Sequence, residues 1–494
     1  MTRVPTAAEP ELAGEAGPRA ADRLVNRDLA PTPASERTWS VWNFAALWVA
    51  MSVCIPTYML AAGMVAAGMS WWQSLAAVFL GNAIVLVPMV VHGHAGTRYG
   101  VPFPVFARAS FGTAGAHVPA VLRSIVACGW FGIQTWIGGL ALDVLLGIAW
   151  PAWETLGGAW SFMGYGLPEY LAFGLFWLAN MYFAWAGTES IKWLETLAAP
   201  LLIVMGIALL AWAADEVGGM SELIAGADRL VEARAAPEAG FLLGLFVPWL
   251  TAMVGYWATL ALNIPDFTRY ARSQRDQAVG QTAGLLTTMP LFAFIGVAVT
   301  SATVLLYGEA IWNPIELVDR IAAGGSPWIG IAAMAVVVLA TLSTNIAANV
   351  VAPANTFSNL APERIDFRAG GLIAGTIGIV ILPWKLLDAY QTWLISYSGL
   401  LGAVGGVLFC DYVVVRRLRL SLEDLYRSGG AYRYAGGVNP RAMIALTAGV
   451  AVALAGLLHP LPRFLFDGAW FTAGTASFLV YWALAREPGG ERRG

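Results

Sequence analysis

Trp130 and Gln134 stand four residues apart in Cys128–Gly129–Trp130–Phe131–Gly132–Ile133–Gln134–Thr135–Trp136, so on a helix they share one face. An indole face beside a primary amide can stack on a flat ring and hydrogen-bond its N–H and C=O edge. Ordinary packing, with the glutamine bonded to a neighbouring helix, uses the same spacing equally well. A denser polar group lies in Ala340–Thr341–Leu342–Ser343–Thr344–Asn345–Ile346–Ala347–Ala348–Asn349. The adjacent Ser343 and Thr344 hydroxyls are hard oxygen ligands. With carbonyls from an unwound helix they suit a small cation such as sodium. Asn345 and Asn349, again four apart, offer paired amides to a polar ring. Hydrogen bonds between membrane helices are worth only about 1 kcal/mol each. Five polar residues in nine positions exceed what such adhesion needs.

The elements that position these groups must lie in a membrane. Charged residues make up 12% of the 494, against about 25% in soluble proteins. At 58% hydrophobic there is too little polar surface to clothe a water-soluble particle. A net charge of −3 argues against nucleic-acid binding, which needs a dense basic face. Cys54, Cys128 and Cys410 lie far apart in apolar stretches, so neither a disulfide framework nor a thiol metal cluster is implied. His92, His94, His117 and His459 show no metalloprotease spacing.

Residues 1–38, rich in Ala, Pro, Glu and Arg, read as a mostly disordered tail and not as a cleavable signal peptide. Apolar runs long enough for a hydrocarbon core about 30 Å thick then recur. They fall at 41–67, 73–92, 115–148, 168–187, 193–214, 239–264, 281–307, 327–352, 370–386, 390–412, 442–459 and 466–485. These twelve runs are too continuous for barrel strands, which alternate. An even number of crossings leaves both termini on one side. That side collects 22 Lys and Arg against 5 opposite, which sets it as cytoplasmic under the positive-inside rule.

The interruptions carry the functional information. Pro56 sits near the middle of the first run, in Met51–Ser52–Val53–Cys54–Ile55–Pro56–Thr57–Tyr58, and frees a carbonyl one turn earlier. The sixth run has a matching irregularity, Gly255–Tyr256–Trp257–Ala258–Thr259 followed by Asn263–Ile264–Pro265–Asp266. Either proline taken alone is an ordinary kink. Breaks paired five spans apart point to an inverted-repeat transporter with its site at the breaks. Asp143, Glu189, Asp266 and Asp411 lie near run ends and Arg123 in the first turns of its helix, so no run has a charge at its centre. The cargo is therefore expected to be neutral. Interfacial capping accounts for these acids except Asp266, whose role stays open.

Several motifs resemble those of the nucleobase:cation symporter-1 family of nucleobase, hydantoin and allantoin permeases. They are Asn26–Arg27–Asp28–Leu29–Ala30–Pro31, the loop from Arg98 to Gly112, Leu260–Ala261–Leu262–Asn263–Ile264–Pro265–Asp266–Phe267–Thr268–Arg269–Tyr270, Asp424–Leu425–Tyr426 and Gly437–Val438–Asn439. The resemblance spans roughly Asn26 to Asn439. It implies an all-α integral membrane fold of about twelve helices, a five-plus-five inverted repeat (LeuT-like) with helices 1 and 6 discontinuous. The first repeat would occupy 39–214, the second 215–412, a cytoplasmic loop 413–441, helices 11 and 12 442–485, and a cytoplasmic tail 486–494. A bundle of spans 1, 2, 6 and 7 would move against a scaffold of spans 3, 4, 8 and 9.

By the same resemblance, a ring would be sandwiched by Trp130 and Trp257 and held by Gln134 and Asn349. Sodium would bind Ser52, Ile55, Ala340, Ser343 and Thr344. Pro56 stands where the hydantoin permeases have a glutamine. The expected activity is symport of a neutral nitrogen heterocycle with a cation across the inner membrane, with no cofactor. Sodium leads because Ser343 and Thr344 are both present, and a proton is the alternative. A membrane enzyme would need clustered catalytic groups at membrane depth, and a sensor a signalling domain; neither is seen in the sequence. The particular heterocycle and the oligomeric state are not encoded in these patterns.

Overall fold

A computed structural model describes residues 24, 29–186, 188–223, 239–360, 364–458 and 462–486. The chain runs through α1 (Val41–Ser52), α2 (Ile55–Ala66), α3 (Trp71–Tyr99), α4 (Phe103–Phe111) and α5 (His117–Ala149). A two-stranded antiparallel hairpin, β1 (Ser161–Phe162) and β2 (Tyr165–Gly166), precedes α6 (Leu167–Ala186) and α7 (Thr188–Glu216). Next come α8 (Val247–Tyr256), α9 (Ala258–Asn263), α10 (Pro265–Thr268), α11 (Gln274–Tyr307), α12 (Pro314–Gly324) and α13 (Pro327–Asn345). The remaining helices are α14 (Val351–Leu360), α15 (Phe367–Val380), α16 (Pro383–Asp388), α17 (Tyr390–Phe409), α18 (Leu422–Tyr426), α19 (Pro440–Ala455), α20 (Phe464–Asp467) and α21 (Ala469–Ala485).

A helix or helix group lies on each of the twelve apolar stretches. Among the described residues, five helices are individually long and apolar enough to cross a bilayer, or six with α1 and α2 taken as one bent span. Four stretches carry shorter apolar helices, because Trp257, the Leu382–Pro383 corner and the turns around α20 divide the runs.

Two groups of helices pack closely among themselves, and α7 packs on both. In the first, α1, α2 and α3 pack on α11, and α3 also packs on α8. In the second, α5 packs on α6, α13 and α15. Their members lie on spans 1, 2, 6 and 7 and on spans 3, 4, 8 and 9. Glycine permits a close contact within the first group: a Cβ on Gly284 would lie 2.8 Å from Trp48 Cβ, and one on Gly280 2.6 Å from the Val41 carbonyl. Small residues four apart let two membrane backbones approach closely. α17 packs on α8 and α21, beside both breaks.

The tail expected to be disordered over 1–38 needs correction in its last third. Its earlier part, Leu24 excepted, lies outside the described residues. From Leu29 onward the chain is held by long-range bonds. Thr32 N–H donates to Gly100 O (2.9 Å), Arg269 Nε donates to Thr32 Oγ1 (2.6 Å), and Tyr426 OH donates to Leu29 O (2.6 Å). Partners hundreds of residues away leave no periodicity in the segment they hold, so composition alone could not show this.

Candidate functional site

The first break follows from backbone accounting. Val53 and Cys54 leave the helix, Cys54 in extended geometry (φ −152°, ψ 158°), and α1 and α2 meet at 61°. Cys54 N–H bonds Ser52 O (3.1 Å) in place of Ala50 O, and Thr57 N–H bonds Cys54 O (3.1 Å) in place of Val53 O. Ala50 and Val53, three apart, thereby lose the amides that a continued helix would supply. In the second break Trp257 leaves helical geometry (φ −102°, ψ 4°), and Gly255 O is taken by the Tyr397 hydroxyl at 2.8 Å.

A cavity of about 600 Å³ runs from Trp39 and Asn43 at the start of α1 to Ala50 and Val53. Its opposite wall is Ala340, Ser343 and Thr344 on α13. Of the five residues expected at the cation site, Ala340, Ser343 and Thr344 line this cavity, and Ala50 and Val53 face them from span 1. Ser52 and Ile55 do not line this cavity. Ser52 O is already engaged by Cys54 N–H, and Ile55 opens α2. A helix N-terminus carries positive partial charge, whereas Ala50 and Val53 lie at the negative C-terminal end of α1.

A smaller space of about 40 Å³ adjoins it, sharing Met51, Thr344 and Ala348. Trp130, Gln134, Trp257 and Asn349 all line it, together with Cys54, Tyr256 and Thr259. Trp130 is set by its indole N–H, which donates to Tyr397 OH at 3.1 Å, and by Trp393 packed edge-on at 4.9 Å. Gln134 Oε1 and Trp257 Nε1 are buried without partners, one acceptor and one donor. Each such group costs about 1–3 kcal/mol if it stays unpaired. A planar molecule with an N–H and a C=O on its edges answers both.

Asn345 does not line this space. Its amide donates to Phe131 O (3.2 Å), Thr135 Oγ1 (3.0 Å) and Asn180 Oδ1 (3.1 Å), and its Oδ1 accepts from Asn349 Nδ2 (3.0 Å). A π-helical turn over Ile346–Val350 follows it. The two side chains still meet, but the Asn345 amide is taken by α5 and α6 while Asn349 reaches the space. Asn345 therefore supports Asn349 from behind. Asp266 is tethered as well: Oδ1 accepts Phe103 N–H (2.7 Å) and Oδ2 accepts Asn263 Nδ2 (3.2 Å), joining the end of the sixth stretch to α4. Sequence reasoning missed Cys54, Tyr256 and Tyr397. The seven-residue spacing of Tyr390 and Tyr397 on one helix face was the available signal.

Two broken helices meeting at a buried polar and aromatic pocket, one group of helices packed on another, define a helical membrane transporter. The chain belongs to the family of permeases for cytosine/purines, uracil, thiamine and allantoin, whose model matches residues 31–480. It is 42% identical to the purine-uracil permease NCS1 of Arabidopsis thaliana over 93% of this chain and 78% of that one. Against the allantoin permease of Bacillus subtilis (strain 168) the identity is 38%, over 94% of each. Among solved structures, the inward-facing conformation of Mhp1 superposes with a TM-score of 0.79 at 28% identity, covering 94% of both chains. The closed, bromovinylhydantoin-bound form of the same transporter gives 0.73. The relatives are permeases, and the protein is a transporter and not an enzyme.

Proposed function

We propose that the protein imports a neutral nitrogen heterocycle of the nucleobase, allantoin or hydantoin type, coupled to sodium, by alternating access. The observation that carries this reading is the adjacency of two spaces. One holds the released carbonyls of Ala50 and Val53 opposite Ser343 and Thr344; the other is lined by Trp130, Gln134, Trp257 and Asn349. Thr344 lines both. Sodium between α1 and α13 would tie the bundle to the scaffold. A ligand that binds one arrangement better than another shifts the equilibrium by that difference, which is what coupling requires.

Stacking on indoles accepts many flat rings, at about 1–3 kcal/mol per ring by analogy with nucleic-acid bases. Gln134 and Asn349 then discriminate by their amides. The cavity opening at Trp39 and Asn43 is the inward-facing route, with both termini in the cytoplasm and the spans in the inner membrane. Uptake of labelled uracil, allantoin and hydantoin into proteoliposomes tests the reading, run with external sodium and again with choline. Accumulation of one class only in sodium is expected. Accumulation that follows a pH gradient and ignores sodium would move the coupling to protons.

A further inference from the structure

Tyr256 stands where the cargo ring has to go. Its phenol packs edge-on against Trp130 (centroids 5.0 Å, 76°) and against Trp257 (4.8 Å, 84°), so one ring bridges the two indoles expected to sandwich another. The free space left among these residues is about 40 Å³. The rings crowd that space, so a heterocycle that enters between Trp130 and Trp257 has to displace the phenol. The phenol is pinned at its far end: its hydroxyl lies 3.1 Å from Cys54 Sγ and 3.0 Å from Thr57 Oγ1. Both partners belong to the break between α1 and α2, so Tyr256 reaches across the site from one broken helix to the other.

The backbone beneath it is tightly packed. Gly255 faces α17 so closely that a Cβ there would lie 2.7 Å from Leu394 O and 2.9 Å from Ser398 Cβ, and the Gly255 carbonyl is held by Tyr397. With the backbone packed there, rotation of the phenol is the local way to make room for a ring, and what the phenol still occupies after rotating is denied to the cargo.

Resting on the reading of the site given above, we infer that Tyr256 is the residue that sets the size of the ring this transporter accepts. It confines the site to small unsubstituted rings through its bulk and through its anchor on Cys54 and Thr57. Tyr256→Gly removes wall and anchor together; Tyr256→Phe keeps the wall and frees it from the anchor. Tyr256→Leu keeps an apolar side chain at the break and shortens its reach.

The test is tryptophan-fluorescence titration of the purified full-length chain with uracil and hydantoin and with their 5-phenyl derivatives. Wild type is expected to prefer the unsubstituted rings. Tyr256→Gly should reduce that preference at least tenfold, and Tyr256→Phe by a smaller factor. If Tyr256→Gly does not accumulate, Tyr256→Leu carries the same expectation at about threefold, on the scale of one or two methylene-sized contacts. An unchanged preference in variants that still bind uracil or hydantoin overturns the inference and leaves the site reading standing. No saturable binding of any ring, by wild type or variant, overturns both.

Discussion

Trp130 donates its indole N–H to the Tyr397 hydroxyl at 3.1 Å, and that hydroxyl donates in turn to the Gly255 carbonyl at 2.8 Å. One tyrosine of α17 thus orients an indole on the scaffold while occupying the carbonyl exposed by the break in the bundle. Seven residues earlier, Tyr390 OH donates to Pro56 O at 3.2 Å and so reaches the other break. Tyr397→Phe keeps the ring and removes both bonds. At a net value of about 1 kcal/mol for a hydrogen bond, heterocycle affinity should fall about fivefold to tenfold. Titration by fluorescence quenching reads this directly, and an unaltered dissociation constant would separate Tyr397 from the site.

Trp130→Ala and Asn349→Ala should abolish saturable uptake while leaving insertion intact, since both side chains line the small cavity. Asn345→Ala should act differently. It removes a buried amide with four bonding partners behind the site and leaves Asn180 and Asn349 short of a partner. A stability loss of about 1–3 kcal/mol is expected, visible as a lowered melting temperature in detergent. Transport equal to wild type in either of the first two variants would sink the site assignment.

Thr344→Ala should raise the sodium concentration needed for half-maximal uptake, because Thr344 is the hydroxyl shared by both cavities. Pro56→Ala tests the other half of the cation site. It returns a backbone donor opposite Ser52 O and favours continuing α1 into α2, which would re-pair Ala50 and Val53. Sodium dependence should weaken by about tenfold, or about 1.4 kcal/mol. A sodium titration of uptake unchanged by both substitutions would remove this contact from the coupling mechanism.

Asp411 is fully buried and accepts three bonds: from Arg416 Nε (2.7 Å), Ser110 Oγ (2.8 Å) and Tyr481 OH (2.8 Å). It joins α4, the end of the tenth stretch and α21. Breaking a buried ion pair from one side costs about 3–5 kcal/mol, because the abandoned partner remains without compensation. Arg416 retains partial exposure, its side chain 22% accessible, which places Asp411→Ala toward the lower end. Reduced yield and an earlier melt are expected, with heterocycle affinity of the surviving protein near that of wild type. A melt matching wild type would show that the network contributes little.

Local order along the chain determined a good deal here. Apolar run length marked where the long helices among the described residues lie, since a bilayer forbids unpaired backbone and leaves few alternatives. Pro56 and the 255–266 irregularity marked both breaks, because a missing amide is a property of the residue itself. The face carrying Trp130 with Gln134 followed from helical period, and the adjacent hydroxyls of Ser343 and Thr344 from the sequence itself. Tertiary structure decided what period cannot carry. A π-turn follows Asn345, whose amide is taken by α5 and α6, and the exchange of amides at Cys54 and Thr57 left Ala50 and Val53 on the wall that faces Ser343 and Thr344. Packing of α17 against α8 placed Tyr256 between the indoles. Each of these depends on atoms brought together from distant parts of the chain, and no spacing within one segment records them.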